Sequence, residues 1–270
     1  MARTSDLYKL IRDAKSQSRK LLAIYLTCGF PKREWTVSLC QEIFAGGADF
    51  LELGMPFSDP LADGPTIQAA SQLVLDNGLT SEDYFNLAAQ ASALGPTVFM
   101  GYLNSVTGTH EFLASAKTAN LCGLILPEWP VHSNEFLEIE TQAKNMNLPR
   151  VPFLAPTSSA DRIAQIDLLD APFIYAVAVT GVTGARTSLD PDVKRYLSAL
   201  KATLTTPFLS GFGVSSPESA RTLASVSDGV IVGSALLDGI GESKTLEHAR
   251  RFTREFVTSL RDAIDHPLSA

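Results

Sequence analysis

The sequence predicts an α/β chain, a single-domain (β/α)8 TIM barrel over residues 1–270 with extra N-terminal and second-loop helices. Three observations carry this reading. Eight short apolar, β-rich runs recur at fairly regular intervals, segments of helical periodicity lie between them, and no linker or low-complexity tract breaks the 270 residues. An open doubly wound sheet is the rival arrangement, but eight units in about 250 residues fit the barrel.

The runs are "LLAIYLT" (21–27), "DFLELG" (49–54), "TVFMGYL" (97–103), "LCGLILP" (121–127), "RVPFLAP" (150–156), "FIYAVAV" (173–179), "PFLSGFG" (207–213) and "DGVIVGS" (228–234). Before the first, "TSDLYKLIRDAK" reads as a helix closing the barrel floor. After it, "REWTVSLCQEIFAGG" places Trp35, Leu39 and Ile43 on one face and ends on glycines. The second run is followed by two helical segments, "PTIQAASQLVLDNG" as an insertion and "SEDYFNLAAQASALG" with Ser81 as its cap. Later, Asp190-Pro191 and Ser216-Pro217 each pair a capping side chain with proline at the first helical position.

Composition excludes several classes. Apolar residues make up 45% and charged residues 19%, enough for a packed core. Net charge is −7 with no basic stripe, which argues against nucleic acid. No apolar run approaches the roughly 20 residues of a membrane span, and the N-terminus lacks a signal-peptide core. The three cysteines, Cys28, Cys40 and Cys122, are widely spaced, so we expect a reduced, cytoplasmic setting. No metal-ligand spacing and no redox motif is present, so neither cofactor nor metal is expected.

The chemistry starts at Glu52. In "FLELG", Leu51 and Leu53 share one face and meet the helices, which turns Glu52 into the barrel near the C-terminal end of its strand. Barrel active sites are built at that end. An ionised carboxylate there costs several kcal/mol unless compensated, and no Lys or Arg sits inside another run. Asp63 follows in "SDPLADGPT", where an ordinary turn role fits it equally well. Three glycine-bearing loops, "TGVTGAR", "SGFGVSS" and "VGSALL", follow the last three runs. Glycines admit an anion to backbone N–H groups, and a helix starting at Ser234 adds its dipole. Two carboxylates and a phosphate cradle indicate acid–base work on a phosphorylated small molecule.

The residues also carry a resemblance. "LELGMPFSDPLADGPTIQAA", "IYAVAVTGVTGAR", "GFGVSSPE" and "GVIVGSALL", with the weaker "YLTCGFP", "MGYLN", "LILPEWP" and "FLAPTSSADRI", resemble the tryptophan synthase α chain family over nearly the whole length. The resemblance implies a lyase that cleaves indole-3-glycerol phosphate to indole and glyceraldehyde 3-phosphate. It also implies a pyridoxal-phosphate β subunit that receives the indole, in a heterotetramer of two α and two β chains. It makes Glu52 the general acid–base, Asp63 the second carboxylate and Tyr175, beside Glu52, a further catalytic residue. Gly184, Gly213, Gly233 and Ser234 become the phosphate cradle, and Thr183 the latch of a loop over 178–189 that closes onto Asp63. Tyr25, Tyr102 and Phe212 fit an indole slot; for these three and for Tyr175, core packing is an equal alternative.

The chain departs from the family pattern at Phe30, Ser105, Cys122 and Glu128-Trp129. Trp129 lies between Pro127 and Pro130, and is expected to stand at the surface or in a shallow slot as an anchor for the β subunit. Other readings stay open. The barrel could mainly modulate a β partner, could work as a stand-alone lyase, or could be a phosphosugar isomerase. Indole release separates them.

Overall fold

The structure, a computed structural model, describes residues 6–104, 111–130, 136–177, 191–211 and 213–266. Helix α1 (Leu7–Ser16) precedes β1 (Leu21–Thr27). A 3-10 turn (Arg33–Trp35) leads into α2 (Thr36–Ala45) and then β2 (Phe50–Gly54). Two helices, α3 (Pro65–Asp76) and α4 (Ser81–Leu94), come before β3 (Thr97–Met100). Next are α5 (Glu111–Thr118), β4 (Leu124–Ile125), α6 (Leu137–Asn145), β5 (Arg150–Val151), β6 (Phe153–Leu154), α7 (Ala160–Asp167) and β7 (Ile174–Val177). The chain continues with α8 (Pro191–Thr203), β8 (Phe208–Gly211), α9 (Pro217–Val226), β9 (Gly229–Val232), α10 (Ser234–Gly241) and α11 (Leu246–Asp265).

All strand pairings are parallel, in the order β5-β4-β3-β2-β1-β9-β8-β7-β6. The nine segments correspond to the eight predicted runs, because Pro152 divides the fifth. Proline has no N–H to give a ladder, so the strand breaks there. Pro149 O accepts from Leu124 N–H at 2.9 Å on one side, and Pro152 O accepts from Tyr175 N–H at 2.8 Å on the other. One sequence run thus faces β4 with its first half and β7 with its second, and so closes the barrel.

Two apolar layers follow from side-chain alternation. Leu22, Ile24, Leu26, Leu51, Leu53 and Phe99 face outward into the helix layer, where α2 contributes Leu39 and Ile43. Leu21, Ala23, Phe50, Val98, Phe173, Leu209 and Ile231 face inward, and Leu7 and Ile11 of α1 join them. Helix α1 therefore plugs the floor as expected. Its amphipathic stripe starts at Asp6, whose carboxylate accepts from Lys9 N–H at 3.0 Å.

Local sequence accounts for the helix starts, with one correction. The cap of α4 is Thr80, not Ser81: Thr80 Oγ1 accepts from Asp83 N–H at 3.1 Å, and Asp83 answers from its side chain. Three residues separate the members of a capping box, and Thr80–Asp83 meets that spacing. Ser216 and Ser219 cap α9 reciprocally, and Pro217 takes its first position. Pro191 opens α8 as expected, while Asp190 lies outside the described residues.

Candidate active site

Glu52 lies one inward step above Phe50 on β2, paired in register with Tyr25 on β1 and Val98 on β3. It is only 1% exposed, and its Oε1 has no hydrogen-bond partner. Burial alone pushes its carboxyl up from 4.5 to about 8. Ionising it in the unliganded barrel would then cost on the order of 5 kcal/mol. Glu52 is accordingly a neutral acid near pH 7, with one oxygen buried and without a partner. The expected orientation holds: Leu51 and Leu53 are in the helix layer and Phe50 is in the inward layer, so alternation turns Glu52 inward.

Asp63 sits in the loop between β2 and α3. It is half-buried, and burial raises its carboxyl from 3.8 to about 6, with the Tyr102 hydroxyl pulling the other way. The loop is held from two sides. Gln68, on the first turns of α3, donates from Nε2 to Asp63 O at 2.8 Å and to Pro60 O at 3.4 Å. Tyr102, two residues past β3, accepts from Ala62 N–H at 3.1 Å and stacks on Phe57 with ring centres 5.0 Å apart. Tyr102 is therefore a partner of Asp63 before it is a pocket wall. The grip of Gln68 was not foreseen, since no local pattern marks a side chain that reaches back to a loop carbonyl.

Tyr25 and Tyr175 are inward tyrosines of the same barrel interior, each 6% exposed. Both phenols are held well above the usual tyrosine range, first by burial and then by the negative field of Glu52 and Asp63. The charges of the two carboxyls thus act on the same pair of tyrosines. Tyr175 stacks on Phe153 at 4.6 Å. Glycine makes room for both hydroxyls: a Cβ at Gly54 would lie 2.2 Å from Tyr25 Oη, and one at Gly211 would lie 2.3 Å from Tyr175 Oη. Any larger residue there would push the rings off these positions.

Gly213 follows β8, and Gly233 and Ser234 follow β9, its neighbour in the sheet, so all three lie at the same end as Glu52. Helix α10 starts at Ser234 with Gly233 as a cap that offers no side-chain acceptor. Its first N–H groups remain open to an anion. Gly213 has φ of +84°, a conformation that strains L side chains. Thr183, Gly184 and Phe212, and with them the 178–189 loop, lie outside the described residues.

The tryptophan synthase alpha chain family model matches residues 11–265. The chain belongs to the tryptophan synthase alpha chain family. The alpha chain of Caldanaerobacter subterraneus subsp. tengcongensis is 38% identical over 256 residues, covering 93% of this chain and 97% of that one. The alpha chain of Dehalococcoides mccartyi is 39% identical over 264 residues, covering 96% and 100%. The structure resembles that of the alpha chain from Legionella pneumophila subsp. pneumophila with a TM-score of 0.86 at 31% identity, covering 98% of each chain. As a member of this family the chain is a lyase of tryptophan biosynthesis that cleaves indole-3-glycerol phosphate to indole and glyceraldehyde 3-phosphate.

Trp129 departs from expectation. It is 6% exposed and packs in the helix-layer core, not at the surface. Arg150 lies over its ring, 5.5 Å from the centroid, and donates from Nη1 to Pro130 O at 2.8 Å. The flanking prolines shape the turn, but a large aromatic gains more by burial under a guanidinium than by standing in water. Within the described residues, the exposed apolar side chain at the mouth is Leu61, 88% exposed on the Asp63 loop.

Proposed function

We propose that Glu52 and Asp63 divide the proton transfers of the cleavage. Indole leaves poorly as a carbon anion, so C3 must gain a proton before its bond to the glycerol chain breaks. Glu52 gives that proton while Asp63 takes the one on the indole nitrogen. Glu52, now a carboxylate, removes the proton from the glycerol hydroxyl; the carbon–carbon bond breaks, the aldehyde forms, and the nitrogen recovers its proton from Asp63. One residue acting as acid and then base needs a pKa near neutrality. The observation that supports this reading is the burial of Glu52, with one oxygen unpartnered and its pKa lifted to about 8.

Gly213, Gly233 and Ser234, with Gly184, hold the substrate phosphate through backbone N–H groups and the α10 dipole. Tyr25 and Phe212 line the indole slot, Tyr175 keeps the Glu52 chamber apolar, and Thr183 meets Asp63 in the closed site. Indole passes to a β subunit that docks over the mouth, where Leu61 offers an apolar contact. Residues 1–270 act as one domain. The three cysteines are free and buried, which suits the reducing cytoplasm.

Indole release from indole-3-glycerol phosphate, with and without a β chain, tests the reading. Glu52→Gln is nearly isosteric but neither gives nor takes the proton, so it folds and loses turnover by about 10³ or more. If it kept more than about a tenth of wild-type turnover, the assignment of Glu52 would fail.

A further inference from the structure

We propose that Glu128, in the loop after β4, is a positioning residue for the lyase reaction. It fixes Tyr102, and through Tyr102 the Asp63 carboxyl. The inference rests on the lyase reading above.

Tyr102 grips the Asp63 loop at two points, the stack on Phe57 and the bond from Ala62 N–H, and its hydroxyl acts on the Asp63 carboxyl, opposing the upward push of burial. The grip is useful only if Tyr102 itself stays in place, and it lies beyond the end of β3, outside the ladder. The next residue supplies the hold. Leu103 N–H donates to Glu128 Oε2 at 2.7 Å, a charge-assisted bond between two neighbouring strand-end loops.

Glu128 is exposed, but its backbone is not free to drift. Trp129 N–H donates to Leu126 O at 3.1 Å, closing a turn around it. The Trp129 indole is buried beneath Arg150, whose Nη1 ties down Pro130 O and whose Nη2 meets Glu140 at 3.2 Å. Pro127 and Pro130 narrow the backbone on either side. A buried tryptophan anchor thus carries an exposed carboxylate, that carboxylate holds Leu103, and Tyr102 aims Asp63. Misplacement of a proton-transfer group by a fraction of an ångström lowers turnover without weakening substrate binding as much.

The test is kcat and KM for indole release by the full chain and four variants. Because Glu128 is exposed, Glu128→Ala should fold. It should lower kcat about tenfold while KM stays within about twofold. Glu128→Gln keeps an acceptor oxygen for Leu103 N–H and should stay within about threefold of wild type. Tyr102→Phe removes the hydroxyl that accepts from Ala62 N–H, the hydrogen bond by which the held Tyr102 grips the Asp63 loop. Adding Glu128→Ala to it should therefore cost less than about another twofold. Unchanged kcat in Glu128→Ala, equal damage from Glu128→Gln, or fully multiplicative losses in the double variant would overturn the positioning role. A wild-type chain that released no indole would instead overturn the lyase reading itself.

Discussion

The Glu52 carboxyl sets a sign for stability that most acidic side chains do not. Its folded pKa is raised above the unfolded value, from 4.5 to about 8. Between those values the folded chain keeps a proton that the unfolded chain releases. Stability is therefore fully present below about pH 4.5 and is lost as pH rises toward 8, at up to about 1.4 kcal/mol per pH unit. Asp63 acts in the same direction between 3.8 and about 6. Burial pushes Asp167 up but hydrogen bonds from Thr206 and Thr205 outweigh it, and the hydrogen bond with Lys144 lowers Asp170; both are held below the ordinary range, contribute stability above it that is lost in acid, and so act below this window. Denaturant unfolding from pH 6 to 8 should show stability falling in the wild-type chain and a flatter profile in Glu52→Gln, the variant being the more stable at pH 8. Parallel profiles would mean that Glu52 ionises in the folded chain as it does in water.

Among the elements, α10 separates binding from folding most cleanly. Its N-terminus is open because Gly233 brings no side-chain acceptor, whereas Asp6, Thr80, Ser159, Ser216 and Thr245 each cap their own helix. Ser234→Asp places a negative charge at that positive end. It should leave the melting temperature unchanged or slightly higher, since the helix gains a few tenths of a kcal/mol. It should also raise KM for indole-3-glycerol phosphate at least about tenfold through repulsion of the phosphate. An unchanged KM would place the anion elsewhere. A substitution at Gly213 would confuse the two effects, because φ of +84° makes other side chains destabilising there whatever they do to phosphate.

The elements also show what could be read from residues in a row and what could not. Periodicity reached the helices, because 3.6-residue and two-residue repeats are local. The alternation in "FLELG" likewise sufficed to turn Glu52 inward. The Thr80 cap was missed by one residue because Ser81 is an equally good capping type, and only the reciprocal Asp83 contact decides between them. Trp129 was misplaced for a different reason. Its partner Arg150 arrives from the next strand, and the proline-flanked segment shows nothing of that approach. The roles of Tyr102 and Gln68 were likewise illegible, since each depends on a loop N–H or carbonyl brought near by the fold.

The whole molecule supplies what no single element does, a low-dielectric sleeve around one carboxyl. The floor is sealed by α1 through Leu7 and Ile11, and the wall by the inward residues of the strands. Helix α11 packs across the outside, its Arg250 and Arg254 each bonding Glu42 of α2 at 2.8 Å. Because the nearest inward neighbours of Glu52 are tyrosines and apolar groups, with no cation among the causes acting on its carboxyl, closure of the barrel alone lifts its pKa. The most direct test is carbon-detected NMR titration of the side-chain carboxyls in the unliganded chain, with Glu52→Gln used to assign the Glu52 signal. The account predicts that this carboxyl titrates near pH 8. A midpoint in the ordinary glutamate range, near 4.3, would contradict it.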